Sequence, residues 1–206
     1  MNSVRKLSNK WIVTWVVLTI CILFIGYLSY AKRLEIAVFL SSHNDYAPTW
    51  SLDHVAVNEE KSTIEIYFDD NYKNRSERME RIKKTYLSIK GKFLDDPESR
   101  YRNYTINIYF RNIGDGFSIT GISSDSDDIQ VHVGMYDLGL SVKTIAEYFP
   151  NATGLSLSGV HYDDISEFTN FDHLEYIFFG QRVSQEECDS IQKMFPGCVI
   201  DKIKQD

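Results

Sequence analysis

Leu174-Glu-Tyr-Ile177-Phe-Phe179 decides the fold, because its apolar spacing returns twice more near the end of the chain. The three versions are Ala152-x-x-Leu155-x-Leu157, Leu174-x-x-Ile177-x-Phe179 and Phe195-x-x-Cys198-x-Ile200, with closing residues 22 and then 21 positions apart. Alternate residues of a strand point to opposite faces, so the last two apolar members of each version mark one inward face. A period of this length is the mark of stacked strand-plus-helix units. The intervals read as short helices. Ser184-x-x-Glu187 is a capping box in front of Cys188, Ile191 and Phe195, which share one helical face. Ser141 is placed to cap a helix carrying Ile145 and Phe149.

The segments Asp164–Phe179 and Val183–Ile200 resemble a leucine-rich repeat of bacterial type, the second resembling the closing unit of such an array. Phe149-Pro150-Asn151 echoes Phe195-Pro196-Gly197. The resemblance covers about residues 140–200, and extends to Ile129 if Val131 and Val133 belong to a degenerate first unit. Where the motif wants Asn or Cys, this chain has Val160 and Arg182, so the usual buried hydrogen-bond ladder is missing. An irregular stack, the edge of a larger parallel sheet and an ordinary α/β domain all remain compatible with the spacing. The resemblance implies a surface offered to a partner rather than a reaction.

If Leu155, Leu157, Ile177, Phe179, Cys198 and Ile200 point inward, their neighbours point out. His132, Ser156, Phe178 and Val199 then form one row across the open face, with Gln130 and Tyr176 beside it. Exposed aromatics on such a face make a candidate contact patch for a protein partner, unless the membrane-proximal part of the chain covers them. Cys188 and Cys198 are also expected to face inward, either as a disulfide or as two small buried hydrophobes.

Working backwards, residues 50–128 read as a hairpin–helix–strand part. Trp50–Val57 and Thr63–Phe68 flank the polar turn Asn58–Ser62, and Ile64, Ile66 and Phe68 alternate as in a strand. Asn74-x-x-Glu77 resembles a capping box, and Met79, Ile82, Tyr86, Ile89 and Phe93 form an apolar helical stripe that Gly91 is expected to end. Arg75, Glu77, Arg78, Arg81, Lys83 and Lys84 make its charged outer face. Tyr104–Phe110 mirrors the earlier strand, which predicts a βαβ unit with a parallel pair. Gly114–Gly116 is a turn and Ser123–Asp128 an acidic loop. The repeat at 129–206 then reads as the far end of one continuous parallel sheet.

Trp11–Tyr30 is twenty residues without a charge, the length that crosses a bilayer as a helix. Residues 1–10 form a tail expected in the cytosol and 31–49 a membrane-proximal stalk. Three basic residues before the span against two after it place the large domain outside the cytoplasm, as a single-pass cell-membrane protein. Cleavage after Ser29-x-Ala31, releasing a secreted form, is the alternative. Residues 1–33 hold five of the 22 basic residues and no acid, so the rest carries 17 basic against 29 acidic side chains, a net of −12. Such a domain repels nucleic acid and anionic lipid.

No chemical constellation stands out. His43, His54, His132, His161 and His173 are scattered, with no zinc spacing, phosphate loop or nucleophile elbow, and no cofactor is implied. His43 with Asp45, and Asp53 with His54, are the arguable acid–base pairs, the second spoiled because neighbours on a strand point apart. Asp125, Asp127 and Asp128 lack the spacing of a calcium loop. Sequons at Asn74, Asn103 and Asn151 are within chance. The expectation is an α/β protein: a transmembrane helix, then hairpin–helix–strand running into a short leucine-rich-repeat-like parallel β/α stack. Its expected role is that of a tethered interaction or scaffold module. The alternative is a small hydrolase-like or metal-dependent extracytoplasmic enzyme with its site between Asp45 and Asp128.

Overall fold

The computed structural model describes residues 9–42, 50–70, 75–111, 116–126, 128–134, 140–158, 160–181 and 183–203. The chain divides into two units, residues 1–42 and 43–206.

The first unit is helix α1, Asn9–Ser42. Its stretch Val13–Ala37 is long and apolar enough to cross a membrane. The helix does not stop at Tyr30 as expected, and the stalk is helical as far as Ser42. The reason is local: residues 31–42 contain neither Gly nor Pro. Lys32 and Arg33 mark the end of the apolar run without breaking hydrogen bonds, since long basic side chains carry their charge away from the backbone. Residues 43–49 lie outside the described part.

Among the described residues, the second unit is built on one sheet of eight strands lying side by side in sequence order. The strands are β1 (Trp50–Asn58), β2 (Thr63–Asp70), β3 (Thr105–Arg111), β4 (Gly116–Ile122), β5 (Ile129–Val133), β6 (Ala152–Leu157), β7 (Tyr176–Phe179) and β8 (Val199–Lys202). The expected hairpin is present, with β1 antiparallel to β2. So is the βαβ unit: β2 and β3 are parallel, with Ile64, Ile66 and Phe68 opposite Ile106, Ile108 and Phe110. The sheet is continuous, as the repeat suggested, but only partly parallel. β4 runs antiparallel to both β3 and β5, and β5 to β8 are then parallel throughout. β4 and β5 are paired, so residues 50–128 and 129–206 share one sheet within the second unit.

Strand order explains the layering. Successive parallel strands joined by crossovers of one hand place every connecting helix on the same face. α2 (Arg75–Ile89) packs beside α3 (Val142–Tyr148), α3 beside a 3-10 segment at Ile165–Asn170, and that segment beside α4 (Gln185–Met194). The core lies between this helical layer and the inward strand residues, among them Ile66, Ile108, Ile119, Val131, Leu155 and Ile177, all at most 1% exposed. The helical stripe Met79, Ile82, Tyr86, Ile89 and Phe93 is buried as the spacing predicts, with Tyr86 edge-on to Phe149 at 5.8 Å. Arg78, expected on the charged outer face, is buried. Asn74 lies outside the described residues.

Gly91 does not end α2. The helix passes through it as a π turn, Lys90–Leu94, closed by the Asp95 amide donating to the Lys90 carbonyl. A π turn inserts one residue, and here it allows both Phe93 and Leu94 to face the core. The caps at Ser141 and Ser184 form as expected, each hydroxyl accepting from the backbone amide three residues on.

A candidate interaction face

The alternate residues of the strands, those turned away from the core, make up the second face of the sheet. The register draws one row across all eight strands: His54, Tyr67, Tyr109, Ser118, His132, Ser156, Phe178 and Asp201. At the usual strand spacing this row is about 34 Å long. A second row on the same face holds Thr120, Gln130, Gly154, Tyr176 and Val199.

All six residues read from the sequence as contact candidates lie on this face. Gln130 is exposed, while His132, Ser156, Tyr176 and Phe178 are half-buried. His132 Nδ1 and Ser156 Oγ are 2.7 Å apart, a hydrogen bond between neighbouring strands. Gly154 leaves room for the Gln130 side chain, since a Cβ there would stand 2.8 Å from its Cγ.

One placement is corrected. Val199 stands beside Tyr176, not Phe178, and Asp201 takes the place beside Phe178. The last repeat is displaced by two residues, so Ile200 pairs with Ile177 and Lys202 with Phe179. A shift of two preserves which side chains face out, because the strand period is two. It arises at Pro196-Gly197, where Gly197 takes φ +100° and delays entry into the strand.

The β1–β3 end of the row was not recognised from the sequence. Rings of His54 and Tyr67 stack at 4.1 Å and 15°, and those of Tyr67 and Tyr109 at 4.6 Å and 10°. The Arg111 guanidinium lies 4.1 Å from the Tyr67 ring centre, and the Tyr67 hydroxyl donates to Glu65 Oε2 at 2.8 Å. Burial, and then that hydrogen bond, push the Tyr67 phenol up to about 12. The alternation in β2 and β3 already turned both tyrosines outward. What was missing was the parallel register that sets them opposite each other.

Asp53 and His54 also contradict expectation, with His54 Nδ1 2.7 Å from Asp53 Oδ2. The strand register shifts between Leu52 and His54, leaving Asp53 as the extra residue of a β-bulge. A bulge bends the strand and lets consecutive side chains converge. The pair is about half exposed on the sheet surface. The other described histidines are dispersed, His161 contacting Asp163 at 2.7 Å and His173 contacting Glu175 at 3.2 Å. Among the described residues no group of three His, Cys, Asp or Glu side chains is arranged to hold a metal ion. His43, Asp45 and Asp127 lie outside those residues.

Cys188 and Cys198 are buried free thiols rather than a disulfide. Burial raises both above the ordinary thiol value, Cys198 to about 11, so they pack as small apolar groups. Cys198 Sγ sits 3.8 Å from the Val199 carbonyl oxygen.

Compared with known proteins, the chain matches no family model, no curated protein and no solved structure.

Proposed function

We propose that the chain is a membrane-tethered interaction or scaffold module that binds another protein through the open sheet face. In this reading α1 is a single span with its N-terminus in the cytoplasm, and the sheet domain is extracytoplasmic. β5 to β8 with their helices are a short leucine-rich-repeat-like stack. The observation that carries the proposal is the row from His54 to Asp201, a continuous register of aromatic and hydrogen-bonding side chains in which Tyr67 and Ser118 are buried and Gln130, Val199 and Asp201 beside or within it are exposed. Aromatic anchors within a broad, otherwise polar surface are the usual centre of a protein interface.

The test is site-specific photocrosslinking from position 156 in the native membrane, with identification of the captured protein. Tyr176→Ala and Phe178→Ala are expected to reduce capture of that protein about tenfold each, the loss of roughly 1.4 kcal/mol per anchor. Their melting temperatures should stay near that of the unaltered chain. Undiminished capture by both variants would remove this face as the binding site.

A second reading, a small hydrolase-like or metal-dependent extracytoplasmic enzyme, draws on the Asp53–His54 contact. Its weakness is that the pair stands half exposed on a sheet surface, whereas catalytic groups work in enclosed clefts. Stoichiometric zinc in the purified chain would favour it.

A further inference from the structure

We infer that the free edge of β8 is a strand-addition site for an extended protein segment carrying a basic residue between two apolar ones. This rests on the reading of the domain as a protein-binding module, but it uses the sheet's edge instead of its face.

Among the described residues, β8 is the last strand of the sheet. The Val199 amide donates to the Glu175 carbonyl at 2.8 Å and the Ile203 amide to the Phe179 carbonyl at 3.2 Å. Odd-numbered residues therefore bond to β7. The amides and carbonyls of Ile200 and Lys202 point the other way, where no described strand lies. The preceding outward carbonyl, that of Cys198, is closed off by Gln192 Nε2 at 2.7 Å, so the open run begins at Ile200. Unpaired main-chain groups in this arrangement are a template for an added strand.

The side chains state what that strand must carry. Outside α1, the exposed large apolar residues are Leu87, Val199 at 59% and Ile203 at 55% exposure, among the described residues. Val199 opens β8 and Ile203 directly follows it, its amide still bonded to β7, and Asp201 stands between them, beside Phe178. An added strand that sets apolar groups against Val199 and Ile203 must put its middle residue opposite Asp201. A lysine or arginine satisfies that carboxylate and lies within reach of the neighbouring aromatic ring. A second copy of β8 does not fit. Antiparallel pairing that sets Val199 against Ile203 sets Asp201 against Asp201, and like charges directly opposite are unfavourable. The other edge, β1, is blunted by its bulge at Asp53.

The probe is a fluorescent nine-residue peptide of alternating threonine and valine with a central lysine, titrated onto the full chain in detergent micelles. A matched peptide has central glutamate. The lysine peptide is expected to bind at least tenfold more tightly, and Asp201→Lys to reverse the preference. Lys202→Pro removes an outward amide without taking a ladder bond from β7, and should weaken binding at least tenfold, whereas Lys202→Ala should leave it within twofold. Phe178→Ala, which tests the face, should leave binding of the glutamate peptide unchanged and the lysine peptide within threefold. Equal binding of the two peptides, or full binding by Lys202→Pro with native circular dichroism, would overturn the inference. So would concentration-dependent self-association that Lys202→Pro abolishes, since the occupant would then be a second copy.

Discussion

Gly116 opens β4 opposite Arg111, and a Cβ added there would stand 2.2 Å from the carbonyl oxygen of Phe110. That obstacle is backbone and cannot rotate away. Gly91 is the contrast: nothing lies within 4 Å of its added Cβ, and its φ is not in the left-handed region. Gly116→Ala is expected to cost on the order of 2 kcal/mol by forcing β3 and β4 apart. Gly91→Ala should be neutral or stabilise by up to about 1 kcal/mol, as helical glycine replacements do. Urea titration of both variants decides this, and equal midpoints would contradict the close approach. Neither difference could be read from the chain, where both are glycines near a helix or strand end. Asp53 makes the same point. The reading that turned it away from His54 assumed a regular strand, and the bulge that joins them exists only because β1 is paired with β2.

The clearest element-scale signal was Ser184-x-x-Glu187, and it forms in full. The Glu187 amide donates to Ser184 Oγ at 3.2 Å, while the Ser184 amide and the Tyr162 hydroxyl donate to the Glu187 carboxylate at 2.8 and 3.0 Å. The bond from the Ser184 hydroxyl, then that from its amide, hold the Glu187 carboxyl below its ordinary 4.5. A carboxylate with a lowered folded value adds stability above the unfolded value, and that stability is lost as pH falls through the folded one. Ser184→Ala should therefore cost about 1 kcal/mol at neutral pH and less below pH 4.5, where the unaltered chain has lost part of the same interaction. Thermal melts at the two pH values measure it; a penalty that grows on acidification would contradict the cap. Caps are legible because donor and acceptor are three residues apart on one chain. The continuation of α2 through Gly91 was not, because it depends on burying Phe93 and Leu94 against the sheet.

Taken as a whole, the molecule keeps its apolar surfaces in two places: a helix whose stretch Val13–Ala37 suits a bilayer, and a sheet domain with its own core. The chain beginning at His43 is accordingly expected to be soluble and to melt cooperatively, while the full chain stays in membranes washed with alkaline carbonate. Release of the full chain by that wash would exclude α1 as an anchor. Periodicity alone determined most of the elements, though not β4 or the continuations of α1 to Ser42 and of α2 through Gly91. A charge-free run of twenty residues, strands of period two, a helix of period 3.6 and a repeat near 22 residues are local properties, written into the order of side chains. Which side chains faced outward at Gln130, His132, Ser156, Tyr176, Phe178 and Val199 was determined in the same way, since parity survives a two-residue slip. Only the tertiary structure decided the partners of each strand. Register depends on hydrogen bonds between segments far apart in the chain, and on bulges or turns such as those at Asp53 and Gly197 that shift it. That pairing made β4 antiparallel, joined His54, Tyr67 and Tyr109 into one stack, and exchanged Val199 for Asp201 beside Phe178.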